Sequence, residues 1–394
     1  MNLFRKSVSL LLVLILTLVF TTTAFAAAAV DGFSLKVNGE PTVFGTHTHV
    51  VSEGASLLPL RALFGALGGS VDFDYDESII SISAGSSETQ LRLSGGVVSR
   101  EDGAALQSVI YGGRTHVPAS FFEELLDVTV HLDGESRALL IADNASLDRI
   151  AALMTSDVEN MPAMTAEMVT DIQMTVTVDG ETETINMEVQ GTVNIDFANR
   201  FQHILMNTRV MGMDIVSEIF DDGEAMFIVA EGMVLSIPSS SFDMADEMMA
   251  QFSPIAGLDI ERRYFAGLRL TAGDGTYTVS GEINIPEEYY NDLFASFGDI
   301  AAFLPGMDDV NMQMNIRFNA PITFTSVFDA ASSLMTFMEA SYDINMTMTV
   351  DGETVVAHMV YTMIMPRIEH NVQFDTVVPA EIREAAVDMS DFML

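Results

Sequence analysis

Between residues 185 and 195 the chain reads INMEVQGTVNI, and apolar and polar side chains take turns almost without exception. Ile185, Met187, Val189, Val193 and Ile195 fall on one parity, and Asn186, Glu188, Gln190, Thr192 and Asn194 on the other. Successive side chains of a β-strand point to opposite faces, so this period of two predicts a strand with one buried and one wet face. The alternation recurs in DINMTMTVDG, where Ile344, Met346, Met348 and Val350 oppose Asn345, Thr347 and Thr349, and in runs over 211–219, 310–318 and 359–365. Asp-Gly pairs at 179–180, 222–223, 274–275 and 351–352 stand where tight turns would join such strands. One wet face and one buried face is the habit of antiparallel sheets, so a large meandering antiparallel sheet is expected. DIQMTVTVDGET at 171–182 returns as DINMTMTVDGET at 343–354, read as two strands with the same job. Helical patterns at about 147–159, 242–252, 287–303 and 327–339 interrupt the strands and would cover part of the sheet.

Methionine marks where this sheet begins: apart from Met1, every methionine lies at residue 154 or later. Charge changes at the same place. Residues 31–145 hold 16 acids and 6 bases, a net of −10, and residues 146–394 hold 40 acids and 9 bases, a net of −31. Two domains are expected, 31–145 and 147–394, each long enough for its own core. Ahead of them, MNLFRK, the apolar run SVSLLLVLILTLVF and the small residues AFA ending at Ala26 predict a secretory signal peptide over 1–26. The apolar run falls short of the roughly 20 residues a bilayer needs, and no later stretch reads as transmembrane. The chain has no cysteine, hence no acylation site, disulfide or thiolate metal site. Removing Arg5 and Lys6 with the signal takes the formal net charge from −39 to −41, a surface that repels nucleic acid and anionic membranes.

The first domain writes one phrase twice. LLPLRALFGALGGSVDFD at 57–74 and HVPASFFEELLDVTVHLD at 116–133 place Pro59 and Pro118 59 residues apart, and Val71/Val130, Asp74/Asp133 and Ile82/Ile141 keep the period. Each copy has a turn, a proline suited to a helix start, a short helical pattern, a strand, an acidic turn and a second strand. FSLKVNGEPTVF adds an opening hairpin around Asn38-Gly39.

These residues resemble the copper amine oxidase N-terminal-like domain, or stalk domain, of secreted bacterial proteins. The matching elements are Val37-Asn38-Gly39, Pro59-Leu60-Arg61, Val71-Asp72-Phe73-Asp74, and Gly113-Arg114-Thr115 with Val117-Pro118. The first copy has EGASLLP in place of GRT-x-VP, and the second has Ala119-Ser120 in place of Leu-Arg. Oxidase chemistry would require a tyrosine in an Asn-Tyr-(Asp/Glu) context, which is missing; EYYND at 288–292 has the order wrong. The alternating strands and helices of the second domain resemble the lipoprotein-carrier superfamily (LolA/LppX-like), and more closely a secreted Gram-positive domain of unknown function within it, through the initial short helix at 147–154, the hairpin from Met174 to Gly180, and Pro379-Ala380-Glu381-Ile382. The resemblances imply an α+β, β-rich chain: two βαβ-type stalk repeats, then a curved antiparallel half-barrel packed on helices and enclosing an apolar cavity.

No nucleophile elbow, zinc-protease or phosphate-loop motif is present, and His203, His358 and His370 are scattered. No catalytic, cofactor or metal residue is therefore assigned. His47 and His49 would share a strand face, a spacing that suits metals, but no third ligand can be placed beside them. Met-x-Met pairs at Met211/Met213, Met312/Met314, Met346/Met348 and Met363/Met365 set thioethers on one strand parity. Three uses compete: core packing, a soft Cu(I) site, and an adaptable lining for a lipid-like ligand. Under the last reading the candidate ligand residues are Met187, Met211, Met213, Met312, Met314, Met346, Met348 and Met363. The functional expectation is a secreted, non-enzymatic envelope protein, extracellular or wall-associated, whose partner is a cell-wall component or an amphiphilic small molecule. A purely structural surface protein and a hydrolase with a dispersed carboxylate site are the alternatives.

The signal reading has a direct check. N-terminal sequencing of the protein from culture fluid should begin near Ala27; a chain retaining Met1 in the membrane fraction would overturn it.

Overall fold

In a computed structural model of the protein, the described residues are 34–42, 50–52, 55–84, 87–94, 97–111, 113–133, 138–154, 161–178, 181–230, 232–238, 262–283, 312–350 and 353–388. The signal sequence, His47 and His49, and the helical patterns at 242–252 and 287–303 lie outside them. The described residues fall into two compact units. One lies within Ala28–Ile150 and Glu261–Leu270, the other within Ala151–Ile260 and Thr271–Leu394.

The first unit carries thirteen short strands: β1 (Ser34–Val37), β2 (Glu40–Thr42), β3 (Val50–Ser52), β4 (Ala55–Pro59), β5 (Ser70–Asp74), β6 (Ile79–Ala84), β7 (Ser87–Ser94), β8 (Val97–Arg100), β9 (Ala105–Leu106), β10 (Val109–Tyr111), β11 (Arg114–Pro118), β12 (Val128–Asp133) and β13 (Ala138–Asp143). Helices α1 (Leu60–Ala66) and α2 (Ala119–Leu126) follow β4 and β11, and α3 (Asn144–Met154) carries the chain out of the unit. Three sheets result, ordered β12-β13-β1-β2, β10-β11-β4-β3 and β5-β6-β7-β8-β9. Pro59 and Pro118 end their strands in extended conformation and cap the helices, one position before the first helical residue. Leu58 and Val117, 59 residues apart, sit directly opposite each other where β4 pairs β11. Phe64, Phe121 and Phe122 pack beneath, with the Phe64 and Phe122 rings 5.2 Å apart.

The motif residues have visible jobs. Asn38 and Gly39 adopt φ of 49° and 74°, the positive values a two-residue primed turn needs. Asn38 N–H donates to the Ile141 carbonyl at 2.7 Å, and its side-chain oxygen accepts from Asp143 N–H at 2.9 Å. Arg61 Nε donates to the Val71 carbonyl at 3.0 Å, tying α1 to β5.

A segment from far along the sequence completes this unit. The 3₁₀ turn Arg262–Gly267 buries Phe265 and Ala266, and Leu268 follows them inside. The Tyr264 ring stands edge-on to His131 at 5.2 Å, and Arg269 pairs with Glu40 at 2.8 Å. A Cβ on Gly39 would lie 2.7 Å from Arg269 N and from Leu268 C, so the turn tolerates only glycine there.

The second unit is one large sheet built from β14 (Met164–Val178), β15 (Glu181–Asp196), β16 (Phe201–Val210), β17 (Met213–Asp221), β18 (Ala225–Ala230), β19 (Met233–Pro238), β20 (Leu268–Gly273, of which Leu268–Leu270 belong to the first unit), β21 (Thr276–Ile283), β22 (Met312–Phe318), β23 (Ile322–Asp329), β24 (Met335–Val350), β25 (Glu353–His370) and β26 (Val387–Asp388). The order is β20-β21-β23-β24-β25-β14-β15-β16-β17-β18-β19-β26, with β22 also on β24; the path has two ends and does not close. Two meanders run outward from the centre, where β14 pairs β25 antiparallel. The β19–β26 pair is parallel.

The helix expected over 327–339 is not formed: β23 runs to Asp329 and β24 begins at Met335. The carboxylate of Asp329 makes the turn by accepting from the N–H groups of Ala331 and Ser332 and the Ser332 hydroxyl, and these bonds lower its pKa below the ordinary 3.8. The strand expected from Met211 starts at Met213, because Met211 and Gly212, at φ of 51° and 80°, form the turn between β16 and β17.

Gly39→Ala should cost about 2 kcal/mol or more, from the positive φ and the clash together, and should release the 262–270 segment. Denaturant unfolding and amide exchange at Phe265 and Ala266 measure both; an unchanged midpoint with unchanged protection would contradict the packing described.

Candidate functional site

The registers gather the inward-facing residues of β14–β17 and β22–β25 into rows. One row runs Met213, Val210, Met187, Ile172, Tyr361, Tyr342. A second runs Ile185, Met174, Met359, Ile344, Phe318. A third runs Val189, Thr170, Met363, Ala340, Phe324. Neighbouring rows are roughly 6.8 Å apart along the strands, so they form one continuous apolar surface. Burial along it is deep: Met187 is 4% exposed, Met346 1% and Met363 5%.

The candidate methionines therefore separate. Met187, Met346 and Met363 lie on the buried face. Met211 and Met213 lie at the hairpin turn, 62% and 58% exposed, and Met213 ends the first row where it opens to solvent. Met312, Met314 and Met348 fall on β22 and β24, with Met314 opposite Met348 in register; their side chains lie outside the described residues.

At the centre of the first row, Tyr342 and Tyr361 stack with ring centroids 4.2 Å apart. Burial pushes the Tyr361 hydroxyl up to about 12, against the opposite pull of the Thr170 and Tyr342 hydroxyls beside it. Neither tyrosine stood out in the sequence as a candidate. Both share parity with buried neighbours, Tyr342 with Ile344 and Met346, Tyr361 with Met359 and Met363, and that parity was the available signal. Gln202 and Ser217 were missed in the same way: they occupy inward positions in strands whose inward side also carries Thr208 and Asp221.

The other face is polar. Thr165 donates to Asn194, Gln173 to Asn186, and the hydroxyls of Ser341 and Thr362 meet at 2.8 Å. His203 lies 2.7 Å from Glu218 and stacks on Phe220, and His358 lies 2.7 Å from Asp343. Among the described residues no three His, Cys, Asp or Glu side chains are grouped to hold a metal ion. Over β16–β18 this face is covered: Phe374, Val378 and Ile382 pack on Phe201, Phe220 and Phe227. The helix α4 (Ala380–Ala385), capped by Pro379, brings Arg383 over the Phe227 ring and onto Asp222. Partial burial works to raise the Asp222 pKa, but the N–H groups of Ala225 and Glu224 and the Arg383 guanidinium outweigh it and hold the carboxyl below its ordinary 3.8.

Residues 36–141 match the family model of the copper amine oxidase N-terminal domain. No curated protein sequence matches the chain. Among solved structures, a DUF1329 family protein from Desulfovibrio piger is 11% identical over 59% of this chain and 94% of its own, with a TM-score of 0.20. The ywiB protein from Bacillus subtilis is 8% identical over 50% of this chain and 91% of its own, at 0.17. A domain described as an outer membrane lipoprotein-sorting protein, from Vibrio parahaemolyticus, is 7% identical over 58% of this chain and 93% of its own, at 0.16. At these scores none of the three places a ligand or an activity on this chain.

The Tyr361 shift predicts a pH dependence. An unfolded tyrosine ionises near 10 and the folded one near 12. The neutral form therefore stabilises the fold fully below about pH 10, and that stability is lost as pH rises towards 12. Tyr361→Phe should flatten this decline in the unfolding free energy; an unaltered slope between pH 10 and 12 would show that Tyr361 is not buried as described.

Proposed function

We propose that this chain is a secreted, non-enzymatic envelope protein. Its N-terminal stalk-like module presents or attaches, and the sheet that follows binds an apolar or amphiphilic molecule on its buried face. The observation that carries the reading is that face, where Met187, Met346, Met363 and their neighbours Met174 and Met359 lie side by side across adjoining strands. Methionine combines a flexible, unbranched stem with a polarizable sulfur, so such a lining adapts to acyl chains of different shape. Leu or Ile would fill a fixed interior with less loss of order.

The module is supported by the family match over residues 36–141 and by the motif residues of the two 59-residue copies. Secretion rests on the sequence of residues 1–26, and no helix among the described residues is long and apolar enough to cross a membrane. The sheet is read as a curved half-barrel closing over helices, within a domain spanning 147–394. The module's partner is a cell-wall component, and nucleic acid is disfavoured by a net charge of −31 on the acidic part.

In solution, the full chain should take up one pyrene-labelled acyl chain per molecule, saturably. Met187→Asp should abolish uptake, Met187→Leu should retain it, and both should keep the circular dichroism of the parent. Absence of saturable uptake by the parent protein would leave the buried face as ordinary core, and the protein as a structural one.

A further inference from the structure

Among the described residues, Gln202 and Ser217 on the buried face have buried hydrogen-bonding atoms with no hydrogen-bond partner, as does Thr170, whose hydroxyl lies beside that of Tyr361. Gln202 is 2% exposed, and neither its Nε2 nor its Oε1 has a partner; the Ser217 hydroxyl is likewise buried and unpartnered. A glutamine amide offers two donors and an acceptor, and folded proteins rarely bury all of them unused unless water or a ligand answers them. The registers place the two on adjoining strands of the same face: Gln202 lies opposite Asp221, Ile204 opposite Ile219, and Met206 opposite Ser217. Gln202 and Ser217 thus flank an isoleucine pair, two rows or roughly 14 Å apart along the strands, on the same side as Met206. Among the described residues another such atom on this face, His370 Nδ1, is three strands from Gln202 through Met164 and Ile195.

We infer that Gln202 and Ser217 are the polar contacts of the amphiphile bound on this face, and that its polar group is uncharged, an amide or a hydroxyl. The inference rests on the proposed ligand reading and adds the chemistry of the ligand's polar end. An amide side chain matches a group that both donates and accepts. A carboxylate or phosphate could use only the Nε2 donors, leaving Oε1 facing negative charge. Asp221, buried beside Gln202 with Oδ1 accepting from Gly223 N–H at 2.8 Å, adds to that repulsion. Ser217, able to donate and accept through one oxygen, serves a second uncharged group such as an ester or hydroxyl further along the chain.

The test is competition against the pyrene-labelled acyl chain on the full-length protein. The competitors are a long-chain primary fatty amide, the fatty acid anion of equal length, and the corresponding alkane. The parent should prefer the amide to the anion by about tenfold or more. Gln202→Met should lose that preference through weaker amide binding, with alkane competition unchanged. Its thermal midpoint should not fall, because an unsatisfied amide has been removed. Ser217→Ala should weaken the amide amphiphile in the same direction and provides the comparison if Gln202→Met does not fold. Equal competition by amide and anion, or amide binding unaffected by both substitutions, would overturn the inference while leaving the apolar site standing. If the parent binds neither amide nor alkane, the ligand reading falls and the inference with it.

Discussion

Most of the larger unit depends on burying one parity of residue along its long strands. A side chain of methionine, leucine or isoleucine removed from water contributes roughly 1.5–3 kcal/mol, and rows such as Met187, Ile172, Tyr361 and Tyr342 repeat that gain strand after strand. A slip of one residue in any strand would turn its whole apolar set towards water and bring Asn, Thr and Glu inward. The hairpins guard against such slips. Met211-Gly212 and Asp274-Gly275 both take the positive φ of two-residue turns, which set the pairing of the strands they join. The same burial that fixes the fold thus produces the apolar surface on which the functional reading rests.

Much of this was legible. Strict alternation in INMEVQGTVNI and DINMTMTVDG identified strands, and their inward parity named Met187, Met346 and Met363 correctly as buried. What failed, failed for local reasons. The stretch 327–339 has apolar residues at spacings that also suit a helix, and the deciding feature was one carboxylate, Asp329, turning the chain with three hydrogen bonds. Met211 carries the pattern of a strand residue, yet the glycine beside it makes a turn cheaper than continued pairing. The burial of Arg262–Leu270 in the first unit had no local signal at all, because partners more than about 100 residues away, from Gly39 and Glu40 to His131, leave no periodicity to read.

The first unit shows how a short motif can be a packing rule. Asn38-Gly39 is recognisable as a turn, but its glycine also leaves room for the backbone at Leu268 and Arg269, and its asparagine holds the end of β13. Arg61 is similar: a charged residue in a helical pattern whose guanidinium ties α1 to β5. In β11 and α2 the strand likewise runs through Pro118 straight into a helix that begins at Ala119-Ser120.

On the opposite face of the sheet, the C-terminal segment seals the phenylalanine cluster and is held by Arg383 on Asp222, so apolar surface there is already satisfied. The methionine face is different in kind, since it combines soft apolar side chains with the amide of Gln202, which has no hydrogen-bond partner among the described residues. The measurement that bears most directly on its role is methyl NMR of the full-length protein labelled at the methionine ε-carbons, titrated with an unlabelled long-chain amphiphile. If that face is a ligand site, the Met187, Met346 and Met363 methyl resonances will shift together and saturate at one equivalent, while exposed Met233 stays in place. Resonances of the three buried methionines that do not move at any ligand concentration would contradict the account.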